Sequence, residues 1–460
     1  MGSDNRSKTG MPAAGGGMPV LRTDVAGIDV GSEQHWVCAP ALTTDGREVA
    51  VVGATTPEWH RLAGWLQARR VTSVALESTG VYWIAPQEVL EAAGLEVWLV
   101  DTRALARVPG RPKSDCRDCE WLQRLHRCGW LRGAFRPAEP VCLLRTLVRD
   151  RATLIAERSD WVRRMPKRLD QMNVRVHRAV ADLDGVTGLA IVRAIVAGER
   201  DPQRLAARRD PRCRHSEAEI AEQLSGHWRA DHLFSLQQAL HLYDAIVERR
   251  AAYDREILRQ LEAMTPDAHR GDEAPRPPKP EKAKDFRKRG VDPLRHALDR
   301  ISGVDLTTID ALGPETVSVV LSEYGADLTR FPTEKQFVPH VGLAPHRPIS
   351  GGKPIRRRKK PGSASARVGA ALRMAATSLR RSRSALGAYY RRIAQRAGRD
   401  VAVFATARKL AQYIYRVLRW GQPSVDEGAA TYEQRYHEAR VRRLSATAHQ
   451  LGYTLVAADA

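Results

Sequence analysis

Val25-Ala26-Gly27-Ile28-Asp29-Val30-Gly31 is an apolar run interrupted by a single acid and closed by glycine. Read as a strand, it places Asp29 among buried neighbours, where a carboxylate is costly unless it is paired or meets a cation. Two more strand-like runs follow, His35-Trp36-Val37-Cys38-Ala39 and Glu48-Val49-Ala50-Val51-Val52, with Asp45-Gly46 as the turn signal between them. Together the three predict an antiparallel meander. A helical pattern over 57–70 then leads into Val71-Thr72-Ser73-Val74-Ala75-Leu76-Glu77, a buried-type strand that also ends on an acid. A second helix, over 83–93, returns to Leu95-Glu96-Val97-Trp98-Leu99-Val100.

This order of strands and helices is the mixed α/β arrangement of a ribonuclease-H-like fold. Asp29 and Glu77 each follow an apolar run and precede a glycine-containing turn, so neighbouring strands would project both into one cleft. Lys113-Ser114-Asp115-Cys116-Arg117-Asp118 opens a helix that continues through Trp121, Leu122 and Leu125. At 3.6 residues per turn, Asp115 and Asp118 share a face of that helix. Four oxygen donors from two strands and a helix suit a hard cation such as Mg²⁺, with Mn²⁺ the alternative, and two such ions can clamp a phosphate during displacement. Each acid alone is a weak signal. The same strand opens actin-like ATPases and sugar kinases, and acids at a helix start commonly serve its dipole. Cys116, Cys119, His126 and Cys128 have the composition of a zinc site, but their spacing falls on a helix, where small apolar filling is the ordinary role.

The charge distribution names the partner class. The chain carries a formal net charge of +21, and seventeen Lys or Arg with no Asp or Glu fall between Lys335 and Arg399. An excess confined in this way is the footprint of a polyanion-binding face. Phe337, Val341, Leu343, Val368, Leu372, Met374, Leu379 and Leu386 run through the same stretch, so it is expected to fold and present its charge on a surface. With 43% apolar residues the chain has material for two to four domains. No run of about eighteen apolar residues occurs and no secretory signal opens the chain, so a cytoplasmic, nucleoid-associated protein with reduced thiols is expected.

Residues 1–20 read as a disordered leader. From 141 to 264 the pattern is helical, with Leu147, Leu154 and Trp161 seven apart and a second stripe at Leu233, Leu236, Leu240, Tyr243 and Val247. Two antiparallel helices and an intermolecular coiled coil both fit, and Gly185 to Gly188 and the Pro202 and Pro211 region read as connectors. Pro275, Pro277, Pro278 and Pro280 mark 265–293 as a linker. Beyond it, Ile309-Asp310-Ala311-Leu312-Gly313-Pro314-Glu315-Thr316 looks like a helix-hairpin-helix whose turn amides can hold a phosphate. In Ser350-Gly351-Gly352-Lys353 the glycines leave room for a close phosphate, and Arg356, Arg357, Arg358, Lys359 and Lys360 can offset its charge. A serine hydroxyl becomes a nucleophile only when its surroundings favour the alkoxide.

Asp29, Glu77, Asp115 and Asp118 in this order resemble the RuvC-like domain of the DEDD transposases of the IS-one-ten insertion-sequence family. Gly342-Leu343-Ala344-Pro345, Ser350-Gly351-Gly352-Lys353, Arg367, Leu372-Arg373, Tyr389-Tyr390 and Ala407-Arg408-Lys409-Leu410 look like the core of its C-terminal transposase domain. Two departures stand out: Cys116 and Cys119 replace small residues, and Lys360-Pro361-Gly362-Ser363 replaces a Lys-x-Gly-Asn-like turn. The resemblance implies a RuvC-like α/β domain over 21–135, a helical coiled-coil oligomerisation region over 141–264 and a mainly α serine transposase domain over 294–421; a tail over 422–460 lies outside it. It further implies that Ser350 becomes joined to DNA, with Asp29, Glu77, Asp115 and Asp118 as metal ligands. Lys353, Arg356, Arg357, Arg358, Lys359, Lys360, Arg367 and Arg373 would contact nucleic acid. Donor and target DNA chosen by a bridge RNA, and a tetramer built from dimers in which the acids of one subunit meet the serine of another, complete what the family would supply. Two rivals remain open at this point: a Holliday-junction-type nuclease using the acids and water, and a non-catalytic nucleic-acid-binding protein.

Overall fold

The computed structural model describes residues 19–42, 46–77, 80–100, 115–131, 133–265, 292–344, 349–350, 353–354, 363–421 and 428–456. The chain divides into two compact units, Met1–Arg136 and Pro137–Ala460. The expected leader over 1–20 and linker over 265–293 fall almost wholly outside the described residues.

In the first unit β1 (Val25–Val30), β2 (Gln34–Pro40) and β3 (Arg47–Gly53) form the antiparallel meander, followed by α1 (Thr56–Ala68), β4 (Ser73–Glu77), α2 (Ile84–Ala92) and β5 (Glu96–Val100). The sheet order is β3-β2-β1-β4-β5, with β1, β4 and β5 parallel. Period-two alternation explains how it is covered. Ala26, Ile28, Val30, Leu76 and Leu99 face one way into a core with Trp59, Leu62, Leu66 and Leu90 of α1 and α2. Ala75 and Val100 face the other way onto Leu122 and Leu125 of α3 (Asp115–Arg127). Both faces are therefore sealed by helices, as a partly parallel sheet requires.

The second unit begins with two long helices, α4 (Glu139–Asp170) and α9 (Ala230–Met264), which lie antiparallel against each other within the one chain. Gln260 bonds the Pro140 carbonyl, Arg151 pairs with Asp254, and Arg158 sits 5.4 Å over the Tyr243 ring, so the numbers fall on one helix as they rise on the other. Between them lies a helical head: α5 (Val176–Ala179), α6 (Val186–Val196), α7 (Pro202–Ala206) and α8 (Glu217–Leu224). Met172, Ile191, Val192, Ile195, Leu205 and Leu224 fill its core together with Leu169 and Leu236 of the long helices. The connectors read at Gly185 and Pro202 are thus helix starts. Gly185 caps α6, Asp201 caps α7 with Pro202 in its first turn, and Ser216 closes a capping box with Glu219.

The rest of this unit is helical: α10 (Pro293–Ser302), α11 (Pro314–Tyr324), α12 (Glu334–His340), the short strands β6 (Ile349–Ser350) and β7 (Lys353–Pro354), then α13 (Ala364–Ser378), α14 (Ala385–Ala397), α15 (Arg399–Trp420) and α16 (Gly428–Gln450). Tyr324, Phe331, Phe337 and Tyr415 stack edge-on or tilted at 5.4 to 6.2 Å in its core. The apolar residues of the basic stretch are buried as its folding requires, Met374 excepted. The segment read as a tail over 422–460 contains the 23-residue helix α16, which buries no residue and is held on α14 by Tyr432 and Tyr436 around Arg392.

Candidate active site

The pairing of β1 with β4 sets Val25 beside Ser73 and Ile28 beside Leu76, a constant offset of 48 residues. Carried one residue further, that register puts Asp29 beside Glu77, at the roughly 4.8 Å spacing of neighbouring strands and on the same face of the sheet. It is the face that α3 covers. Glu77 is buried and Asp29 half-buried. Two carboxylates this close repel, and a cation between them is the ordinary remedy.

Gly27 explains how α3 comes near enough to contribute. A Cβ there would lie 2.4 Å from the Gln123 amide nitrogen and 2.5 Å from the Cys119 carbonyl, so only glycine lets the helix rest on the strand. The direction of α3 follows from its contacts. The Arg127 carbonyl accepts from the amides of Leu21 and Arg22, Gln123 Nε2 donates to the Val25 carbonyl at 3.2 Å, and the Cys119 turn lies at Gly27. The helix therefore runs antiparallel to β1. Two residues of strand advance about 6.7 Å and one helical turn 5.4 Å, so the first turn of α3 comes level with Asp29. Asp115 and Asp118 stand four residues before Cys119 and Leu122, two of the three residues that crowd Gly27, and thus on the same helical face. Asp118 is half-buried. Asp115 is placed here by its backbone alone, as its side chain lies outside the described residues.

The far end of α3 is fastened independently. Ser73 Oγ and His126 Nε2 are 2.8 Å apart in the interior, and burial, with Arg22 nearby, pushes the His126 pKa down to about 4. Cys38, which pairs with Gly27 across the sheet, donates to Gln123 Oε1 at 3.3 Å, and its hydrogen bond with Cys119 holds its own pKa below the usual thiol range. Cys119 and His126 thus help to pack α3 on the sheet, and the Cys116 side chain lies outside the described residues. Among the described residues no group of three His, Cys, Asp or Glu is close enough to bind a metal, a set that does not include the Asp115 side chain.

Ser350 lies in the second unit. Its backbone pairs with that of Lys353 across β6 and β7, and Gly351 and Gly352 lie outside the described residues. Before β6, Val341 and Leu343 are buried, and after β7 the Ser363 hydroxyl caps α13 by accepting from the Ala366 amide. A Cβ at Gly369 of α13 would lie 2.9 Å from the Val341 carbonyl, so that helix is pressed onto the chain at Val341. Arg367 stands in the first turn of α13, a third exposed, and Arg373 lies 5.1 Å over the Phe404 ring. Arg356 to Lys360 lie outside the described residues. In the turn read as a phosphate site, the Ala311 amide donates to Asp310 Oδ1 at 3.0 Å and the Leu312 amide to the Ile309 carbonyl at 3.1 Å, while Glu315 in the first turn of α11 forms a two-toothed pair with Arg151 of α4, both bonds 2.7 Å.

The model of a DEDD transposase family matches residues 26–174, the span that holds all four acids, and that of the IS116/IS110/IS902 transposase family matches 305–391, which holds Ser350. Together they cover just over half of the 460 residues, in the order the motifs require. The chain belongs to the IS110 family of transposases. No curated protein matches it significantly. An IS110-type transposase cuts and rejoins the DNA of an insertion sequence, which accounts for the concentrated basic charge. No described helix is long and apolar enough to cross a membrane. Sequence reading missed Gly27, Gln123 and the Ser73–His126 bond because each is defined by what lies opposite in space.

Proposed function

We propose that this transposase cuts DNA through a phosphoserine ester, with the five-stranded unit acting as a ribonuclease-H-like, RuvC-type metal domain. The observation that carries the reading is the β1/β4 register, which sets Asp29 beside Glu77 under the turn of α3 bearing Asp115 and Asp118. These four residues would hold Mg²⁺ or Mn²⁺, which when bound would supply positive charge to offset that on the scissile phosphate and on the departing oxygen. Ser350 Oγ forms a bond to phosphorus while the bond from phosphorus to a deoxyribose oxygen breaks. The hydroxyl proton leaves to a nearby base or water, and the freed oxygen takes one up. Attack on the ester by a hydroxyl of another strand then rejoins DNA and regenerates the serine, so the bond energy is retained. Lys353, Arg356, Arg357, Arg358, Lys359, Lys360, Arg367 and Arg373 would line the DNA. A bridge RNA choosing donor and target, and a tetramer in which acids and serine come from different subunits, belong to the same reading through the family.

The test is a suicide DNA substrate incubated with Mg²⁺ and the copurifying RNA. A covalent protein–DNA adduct is expected from the wild type, absent in Ser350→Ala and in Asp29→Asn. Cutting by Ser350→Ala at the wild-type rate would instead support hydrolysis by water.

A further inference from the structure

Shortly after Glu77, three large apolar side chains stand in water within four positions of the chain: Val81 is 67% exposed, Tyr82 48% and Ile84 38%. Single exposures of this kind are ordinary, whereas a contiguous group marks a contact surface.

The turn that presents them is held from several sides. Gly80 takes the left-handed conformation, φ +60°, that a side chain would strain. The Trp83 indole N–H donates to the Gly80 carbonyl at 3.1 Å, and the Ile84 amide donates to the Val81 carbonyl at 3.2 Å. Trp83 packs inward on the core between the sheet and its helices, while Arg136 lies 5.6 Å over its ring and pairs with Glu91 of α2 at 3.5 Å. With Trp83 anchored inside, Tyr82 is left outside. Its ring folds back on the turn, two of its carbons lying 3.5 Å from where a Gly80 Cβ would be.

The place of this ring is what gives it meaning. Gly80 is three residues from Glu77 and so at most about 11 Å from it along the chain. That end of β4 is the carboxyl end of a parallel strand, the edge at which open α/β sheets take their ligands. A carboxylate pair calls for a cation and a phosphate, but an uncharged ring beside it has nothing to offer either. Its complement next to a phosphate is the flat face of the neighbouring base.

We propose that Tyr82, with Val81 beside it, is a stacking platform for an unpaired DNA base next to the cut phosphate, so that the duplex is opened where it is cut. The proposal rests on the reading of Asp29 and Glu77 as metal ligands at that phosphate and adds to it how the strands are parted there. Taking a base out of its pair costs free energy, which stacking on the ring offsets, and the cost is least where the base is already mismatched.

The test uses the full chain with the RNA that copurifies with it and a DNA duplex containing the cut site, and reads the rate of strand cutting, whatever the nucleophile. Tyr82→Ala should slow cutting by about tenfold or more, the share that one base–aromatic stack supplies. Its melting temperature should not change, because the ring is half-exposed. Tyr82→Phe should cut at the wild-type rate. Duplexes mismatched at the pair on one side of the cut or the other, with only the uncut strand altered, are already open there. On one of them Tyr82→Ala should recover to within about threefold of the wild type.

Tyr82→Ala cutting the paired duplex at the wild-type rate overturns the proposal. Tyr82→Phe as slow as Tyr82→Ala overturns it too, by giving the work to the hydroxyl, and so does a defect that neither mismatch relieves, which would make the exposed group a contact between protein chains. If Tyr82→Ala does not fold, Tyr82→Leu, apolar but not aromatic, takes its place in the same comparisons. Undiminished cutting by Asp29→Asn would instead remove the underlying metal reading.

Discussion

The acids and the serine are held in opposite ways. Asp29 and Glu77 sit in strands sealed on both faces, where register alone fixes their separation, and α3 is locked over them by contact with the backbone at Gly27. Ser350 sits on a two-residue strand, β6, paired only with β7, and the described chain before it is fixed where α13 presses on the Val341 carbonyl. Metal chemistry tolerates little error in ligand spacing, which a sheet supplies. The nucleophile we propose, which would enter DNA, become esterified and later be released, is better carried outside such a frame.

This contrast predicts an order of effects. Asp29→Asn should remove at least about 10³-fold of the cutting rate with little change in melting temperature, because it deletes a ligand from a frame that holds without it. Loss of the fold in that variant would show the acid to be structural. Gly27→Val comes next: its side chain would meet backbone atoms of α3 that have nowhere to go, at a cost of about 3 kcal/mol or more, and chemical denaturation of this unit reads it directly. In the second unit Gly369→Ala meets one carbonyl at 2.9 Å and regains some helix propensity, so a loss of about 1–2 kcal/mol is expected. A slowed adduct at unchanged stability would show that α13 tunes the loop more than it supports the core.

The smallest effect is set by pH. His126 is held neutral in the fold, with its pKa lowered from 6.5 to about 4. The unfolded chain therefore binds the proton first as pH falls. The stabilisation is fully present above about pH 6.5 and is lost progressively between there and pH 4, by about 1 kcal/mol at pH 6. Urea melts of wild type and His126→Gln at pH 7 and pH 5 measure it; an equal pH response in both would contradict the assignment.

Much of the first unit was legible because strand periodicity and the position of an acid at the end of an apolar run are local signals. Asp29, Glu77 and the helix opening at Asp115 could be read in that way. The head of the second unit was not, since glycine and proline mark helix starts as often as loops, and here Gly185, Asp201-Pro202 and Ser216 are caps. Helix α16 escaped because it has no buried face to give a period, although Ala, Glu, Gln and Arg favour a helix there. Glu323 was invisible for a different reason. An acid ending an apolar helix looks ordinary until three arginines, from positions 145, 149 and 367, are seen to converge on it.

The most direct measurement is the identity of the amino acid joined to DNA, obtained by digesting the adduct with nuclease and protease and sequencing the nucleotide-bearing peptide by mass spectrometry. The account predicts a single modified residue, Ser350, with Asp29→Asn yielding no adduct. A nucleotide on any other side chain, or efficient cutting that leaves none on the protein, would contradict it.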